Sequence, residues 1–351
     1  MNKKTVVVIF GGQSPEHEVS LNSAFTIISN MDEEKYYIIP IGITKQGQWL
    51  IYDGPVEHIK TGEWEKFGTP AIISPDATQK SVLKIVGGKV KEIPIDVIFP
   101  VLHGKNGEDG TIQGLFEIAQ IPYVGDGVLA SCVSMDKVFT KTIAKNAGIK
   151  QANYLWFYTT DLEQCDTILN QIEKELGYPC FIKPANTGSS VGISKAHNRA
   201  ELEKALHYAA KFDKKVIAEE FIDGREIECA VLGNENPIAS GVGEIFSASE
   251  FYDYDAKYNN AASKTVVPAD LPQDISNKIR EIAVKVFQAV EGSGLARVDF
   301  LIEKNTNCVI FNELNTMPGF TSISMYPMLW EAEGKSKKEL IDELISLAFS
   351  K

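Results

Sequence analysis

The chain has 351 residues, too many for one simple core, so two or three domains are expected. Hydrophobic residues make up 44% and charged residues 23%, the balance of a soluble globular protein, which excludes disorder. A net charge of −12 excludes nucleic acid or an anionic membrane as the main partner, because phosphates repel an acidic face; a local basic cluster for a nucleotide is still permitted.

The five cysteines (Cys132, Cys165, Cys180, Cys229, Cys308) are odd in number and contain no C-x-x-C pair. They read as reduced thiols rather than a disulfide frame or zinc site. The first apolar run, Thr5 to Phe10, is too short for a signal peptide, and no segment reaches the ~18 apolar residues of a membrane helix. A cytoplasmic protein is expected.

Thr5–Phe10 is apolar and β-branched and stops at Gly11-Gly12, the pattern of a buried parallel strand. Ser20–Ile28 reads as a helix, Tyr36–Ile43 and Asp96–Leu102 as further strands, and the alternation predicts an α/β domain over residues 1–125. Residues 45–91 are turn-rich and weakly periodic, an excursion from that domain, with Gly87-Gly88 placed to close a small hairpin. Met135–Ala147 is helical with a stop at Gly148. Cys180–Pro184 is a strand entering the small-residue loop 185–192, and a helix follows at Ala200–Phe212. Lys215–Glu220 and Glu226–Leu232 are strands about a turn at Asp223-Gly224. The stretch Glu250–Ser263 is aromatic, polar and aperiodic. A helix over Gln273–Val290, strands flanking Glu303–Asn307 and a last helix complete the chain.

Five groups of residues have chemistry to offer. In Arg297–Leu301 and Val309–Asn315, period-two alternation puts Arg297 with Asp299 on one face and Glu313 with Asn315 on one face. Such oxygens suit Mg²⁺ and bound phosphate, and Arg297 suits a developing negative charge; a solvated, salt-bridged face fits the pattern equally well. Lys183 and the loop to Gly192, with Ser189 and Ser190, can cradle phosphates or can be a plain flexible turn. No Walker loop is present, and the turn Gly11–Ser20 lacks G-x-G-x-x-G, so a nicotinamide dinucleotide is not indicated. Glu16 in that turn is either an ammonium partner or a helix-capping acid, and His103 is either structural or catalytic. Phe251–Tyr258 is either a lid or a loop packed on the body.

Taken in order, these segments resemble the D-alanine–D-alanine ligases of the ATP-grasp superfamily. The resemblance runs through Gly11-Gly12, Glu16–Leu21, His103-Gly104 and Gly107–Gly110, then Met135–Lys137, Lys183 and Gly188–Gly192. It continues through Tyr252–Tyr254 with Lys257-Tyr258, Arg297–Asp299, and Asn312-Glu313 with Asn315-Thr316 and Pro318–Ser322. It implies an N-terminal open parallel sheet in an α/β domain, followed by a two-domain, α+β ATP-grasp fold divided at 126–222 and 223–351. The implied reaction forms an acyl phosphate on a first D-alanine from ATP, which the amine of a second D-alanine attacks. Glu16, with Ser189 and Tyr258, holds the first substrate; Arg297 and the Gly319 amide stabilise the oxyanion. His103, Ser324 and Met325 serve the substrates. Lys137, Lys183, Ser190, Lys257 and Asn312 serve ATP, Glu219, Phe221, Ile222 and Glu226 line the adenosine pocket, and Asp299, Glu313 and Asn315 hold two Mg²⁺ ions, for which Mn²⁺ can substitute. A cytoplasmic homodimer is implied. Ile323 stands where many members have histidine, and the 45–91 excursion exceeds that of compact members. The competing second substrates are D-serine and D-lactate; Tyr258 resembles the dipeptide ligases, and Met325 resembles the D-alanine enzymes.

Overall fold

The computed structural model describes residues 3–188, 190–246 and 264–351. Its first sheet orders its strands Lys89–Pro94, Ser81–Val86, Thr69–Ile73, Trp49–Ile51, Tyr36–Ile43, Lys4–Gly11 and Val97–Val101. Lys4–Gly11 pairs in parallel with Tyr36–Ile43 on one side and Val97–Val101 on the other. Val6 to Phe10 are fully buried, because apolar layers cover both faces of this strand.

The sheet is therefore parallel only in these three strands. Residues 45–91, expected as an excursion, supply antiparallel strands to the same sheet. The outermost, Lys89–Pro94, is exposed along almost its whole length, so its polar residues obscure the pattern. The expected hairpin is present: Val86 pairs with Lys89 around Gly87 and Gly88, whose φ angles of 55° and 76° suit a two-residue turn.

The helix expected over Met135–Ala147 is present as Lys137–Asn146, and a further helix, Val128–Met135, precedes it. Asp136 divides them. Its extended backbone stops the first helix, and its carboxylate caps the second by accepting from the amides of Val138 (3.0 Å) and Phe139 (3.2 Å).

The second sheet orders Ser194–Ala196, Cys180–Pro184, Lys215–Glu220 and Tyr154–Tyr158, all antiparallel. The helices Cys165–Glu175 and Arg199–Ala209 pack on it through Ile168, Ile172, Leu202 and Leu206. The third, also antiparallel, orders Lys264–Val266, Ile238–Phe246, Gly224–Gly233, Gly294–Glu303 and Val309–Asn315. The helix Gln273–Ala289 covers it with Ile279, Ala283, Val286 and Phe287.

One apolar core runs from the first sheet into the C-terminal part: Val6, Val8, Phe10 and Leu21 belong with Leu232, Leu295, Met317, Phe320 and Tyr326. This shared core brings the turns after Lys4–Gly11 and Val97–Val101 against the segment that follows Asn315. Among the described residues, no helix is long and apolar enough to cross a membrane.

Candidate active site

Period-two alternation in Gly294–Glu303 sends Val298, Phe300 and Ile302 into the core and leaves Arg297 and Asp299 on the opposite face. A register shift between Asp299 and Phe300 sets Asp299 opposite Glu313 and Arg297 opposite Asn315. The hairpin thus gathers the four polar side chains together. Arg297 donates Nε to Asp299 Oδ1 and Nη2 to Asp299 Oδ2, each at 2.7 Å, and its Nε lies 3.0 Å from Glu228 Oε2. Asn315 Nδ2 donates to Asp299 Oδ2 at 3.0 Å. Burial opposes the Arg297 charge, but Asp299 and Glu228 more than offset it and hold the guanidinium well above its ordinary pKa.

Two cavities meet here. The first is lined by Glu16, His103, Glu108, Lys137, Gly188, Asn315 and Gly319. The second, with about 270 Å³ of room, is lined by Lys183, Glu219, Phe221, Ile222, Glu226, Asp299 and Asn312. Ser190, Ile193, Arg297 and Glu313 border both.

Cations face the carboxylates at the junction. Lys137, the first residue of its helix, donates to Thr187 O at 2.9 Å and lies 3.5 Å from Glu313 Oε2. Glu219 sits between Lys141, at 2.6 Å, and Lys183, with which it makes a close ion pair. Burial would raise the Glu219 pKa; the two lysines reverse this and hold it at about 2. Burial likewise opposes the Lys183 charge, and Glu219 more than compensates, so its pKa is raised. A depressed carboxylate stabilises the fold above its unfolded pKa, so this contribution should be lost as pH falls from about 4.5 toward 2. Acid unfolding of Glu219→Gln should lack that component, and an acid limb identical to wild type would contradict it.

Glu16 lies between the turn that ends Lys4–Gly11 and the helix His17–Asn30. A methyl group on Gly188 would lie 2.5 Å from Glu16 Oε2, and one on Gly104 would lie 2.6 Å away. The carboxylate is thus set against bare backbone of both the N-terminal part and the small-residue loop. Nearby Glu108 is raised to about 8, first by burial and then by the Glu16 carboxylate. A raised acid stabilises the fold fully below its unfolded pKa, and that contribution is lost as pH climbs from about 4.5 to 8. The melting temperature of wild type should therefore fall between pH 5.5 and 8.5 more than that of Glu108→Gln; parallel curves would refute this.

The oxygen trio Asp299, Glu313 and Asn315, ringed by Lys137, Lys183 and Arg297, fits a hard divalent cation carrying phosphate oxygens and includes no thiolate or imidazole. Ser324 lies beside Gly319 and its Oγ accepts from Thr321 N at 2.9 Å; neither it nor Met325 lines the cavity. Met325 is buried in the shared core with its sulfur against Gly243, and Ile323 is 57% exposed. Ser189, Lys257, Tyr258 and the rest of the expected lid, 250–263, lie outside the described residues.

Residues 5–126 match the family described as D-ala D-ala ligase N-terminus, and residues 143–346 match D-ala D-ala ligase C-terminus. The chain belongs to the D-alanine–D-alanine ligase family. It is 55% identical to a D-alanine–D-alanine ligase of Acetivibrio thermocellus, over 99% of this chain and 96% of that one. It is 54% identical to one from Thermoanaerobacter sp. strain X514, over 99% and 97% of the two chains. Among solved structures, the VanG D-Ala:D-Ser ligase from Enterococcus faecalis superposes with a TM-score of 0.90 at 41% identity, covering 99% of this chain and 100% of that one. The D-alanine–D-alanine ligase from Coxiella burnetii gives 0.86 at 35% identity, covering 99% and 96%.

Sequence reading missed Lys141 and Glu228, which pair with Glu219 and Arg297, and Glu108, which lines the first cavity near Glu16. For Lys141 the signal was present: it lies four residues after Lys137, on the same helix face. For Glu228 it was the alternation Glu226-Ile227-Glu228, which places both carboxylates on one strand face.

Proposed function

We propose that the chain joins two D-alanines: the carboxylate of the first takes the γ-phosphoryl group of ATP, releasing ADP, and the amine of the second displaces phosphate from that acyl phosphate, making the D-alanyl-D-alanine used in peptidoglycan precursors. The observation that carries this reading is the junction of the two cavities. There Glu16, set against Gly188, meets Arg297, Lys137 and the oxygen trio on the Arg297–Asn315 hairpin.

In this reading Glu16 takes the ammonium of the first D-alanine and so fixes where its carboxylate lies, beside Arg297. Lys137 and Lys183 bind phosphate oxygens, and Phe221 and Ile222 give the adenosine an apolar bed. Two Mg²⁺ ions held by Asp299, Glu313 and Asn315 would withdraw charge from the phosphates when bound. Arg297 and the Gly319 amide bind the oxyanion as the second amine attacks. Ser189, Ser190, Lys257, Tyr258 and Asn312 complete the substrate and nucleotide contacts. Ser324, beside Gly319, serves the second D-alanine. The three-domain division at 125 and 222, a homodimer and a cytoplasmic setting belong to the same proposal.

D-serine is the competing second substrate, favoured by the similarity to the Enterococcus faecalis D-Ala:D-Ser ligase. The curated relatives at about 55% identity favour D-alanine. Incubation with ATP, Mg²⁺, D-alanine and either D-serine or D-lactate should yield D-alanyl-D-alanine as the main product by mass. Predominantly mixed product at neutral pH would overturn the choice, and absence of phosphate release would overturn the ligase reading.

Gly188→Ala tests the Glu16 placement. The added methyl meets only the far end of a flexible side chain, so the fold should be nearly unaffected. The carboxylate must move, however, and kcat/KM for D-alanine should fall about tenfold or more, since a 1 Å misplacement at a reacting site is expensive. An unchanged kcat/KM at an unchanged melting temperature would remove Glu16 from the substrate site.

A further inference from the structure

The segment that carries the Gly319 amide, Met317 to Phe320, has no regular secondary structure of its own. Three side chains of the N-terminal part reach across the shared core to hold its backbone. Phe320 N–H donates to Ser23 Oγ at 3.1 Å, and both groups are buried. Ser23 Oγ lies 3.1 Å from His103 Nε2, and His103 Nδ1 lies 2.9 Å from Met317 O. A carbonyl only accepts, so Nδ1 carries the proton; in the neutral imidazole Nε2 then accepts from the serine hydroxyl. The order of donation is then complete: Phe320 amide to Ser23, Ser23 to His103, His103 to the Met317 carbonyl. Glu108 adds a longer contact, accepting from Met317 N at 3.4 Å and from Gly104 N at 2.8 Å.

We propose that Ser23, through this relay with His103, is a positioning residue that fixes the Gly319 amide for the oxyanion. The inference rests on the ligase reading and deepens it. Both His103 ring nitrogens are engaged by protein groups, so the ring can hold this segment while it lines the first cavity. Ser23 sits on the helix that begins just after Glu16, so one rigid helix sets the ammonium partner at its start and the oxyanion segment about two turns further on. The distance between the two ends of the reacting substrate is therefore built into a single element.

The test compares wild type with Ser23→Ala, Ser23→Cys and His103→Gln in steady-state kinetics and in binding of a phosphinate analogue of the dipeptide, a mimic of the tetrahedral state. Ser23→Ala should lower kcat about tenfold, less than outright loss of an oxyanion donor, and leave the KM for ATP essentially unchanged. Affinity for the analogue should fall by the same factor as kcat/KM. Ser23→Cys, which keeps a weak donor and acceptor, should lie between, and His103→Gln should show the same selective loss even if Ser23→Ala fails to fold. A merely structural role predicts a lower melting temperature with kcat and analogue affinity unmoved, and that result overturns the inference. So does a parallel change in kcat and in the KM for ATP. A wild type unable to turn over D-alanine overturns the ligase reading and this inference with it; a working wild type matched by Ser23→Ala overturns this inference alone.

Discussion

Arg297→Met should abolish measurable turnover and lower stability by about 3–5 kcal/mol, the usual cost of removing one partner from a buried ion pair. The guanidinium is buried between Asp299, at 2.7 Å through two bonds, and Glu228, at 3.0 Å, and methionine takes the positive charge away from both carboxylates. Arg297→Lys separates the two effects. It restores a charge but not the planar fork, so much of the stability should return while turnover stays at least ~100-fold down. Urea unfolding read beside phosphate release checks this. An Arg297→Met enzyme within about 1 kcal/mol of wild type would mean that the ion cluster is already neutralised in some other way.

The second large effect is expected at the carboxylates opposite, where activity and stability should come apart. Glu313 is one-third exposed and its ion pair with Lys137 is loose at 3.5 Å, so Glu313→Ala should change stability by no more than about 1 kcal/mol. Asp299→Ala leaves Arg297 paired with Glu228, and the fold should survive with a larger but tolerable loss. Turnover should nevertheless fall more than ~10³-fold in each, because several kcal/mol of charge stabilisation on the phosphates is lost, at about 1.4 kcal/mol per tenfold. A shift in the Mg²⁺ concentration for half-maximal activity should accompany any residual rate. Near wild-type activity in both variants would sink the metal assignment.

How much of this was legible beforehand differs by element. The strands Tyr36–Ile43, Cys180–Pro184 and Lys215–Glu220 were read at the boundaries observed, because burial leaves short apolar runs edged by turns. The strands within 45–91 were not, because short strands toward an exposed sheet edge need little apolar periodicity, and their pairing is sustained by neighbours. The helix Val128–Met135 was not read, because it is only eight residues long and carries no side-chain cap, whereas Asp136 caps the helix that follows.

The Arg297–Asn315 hairpin shows where the two sources of information divide. Its alternation alone determined which side chains share a face, since period two is a property of any extended chain. Alternation did not determine whether that face was a solvated salt bridge or the floor of a cavity. The bulge after Asp299, the Glu228 carboxylate from the neighbouring strand and Lys183 from another sheet decided that, and each depends on chain segments brought together by folding. The relay onto Met317 and Phe320 is the extreme case, joining residues 214 and 297 positions apart. Local sequence determines periodicity, turns and caps because these depend on neighbours a few residues away. Charge pairing and the fixing of a backbone amide across a shared core depend on packing between distant segments, so only the tertiary structure decides them.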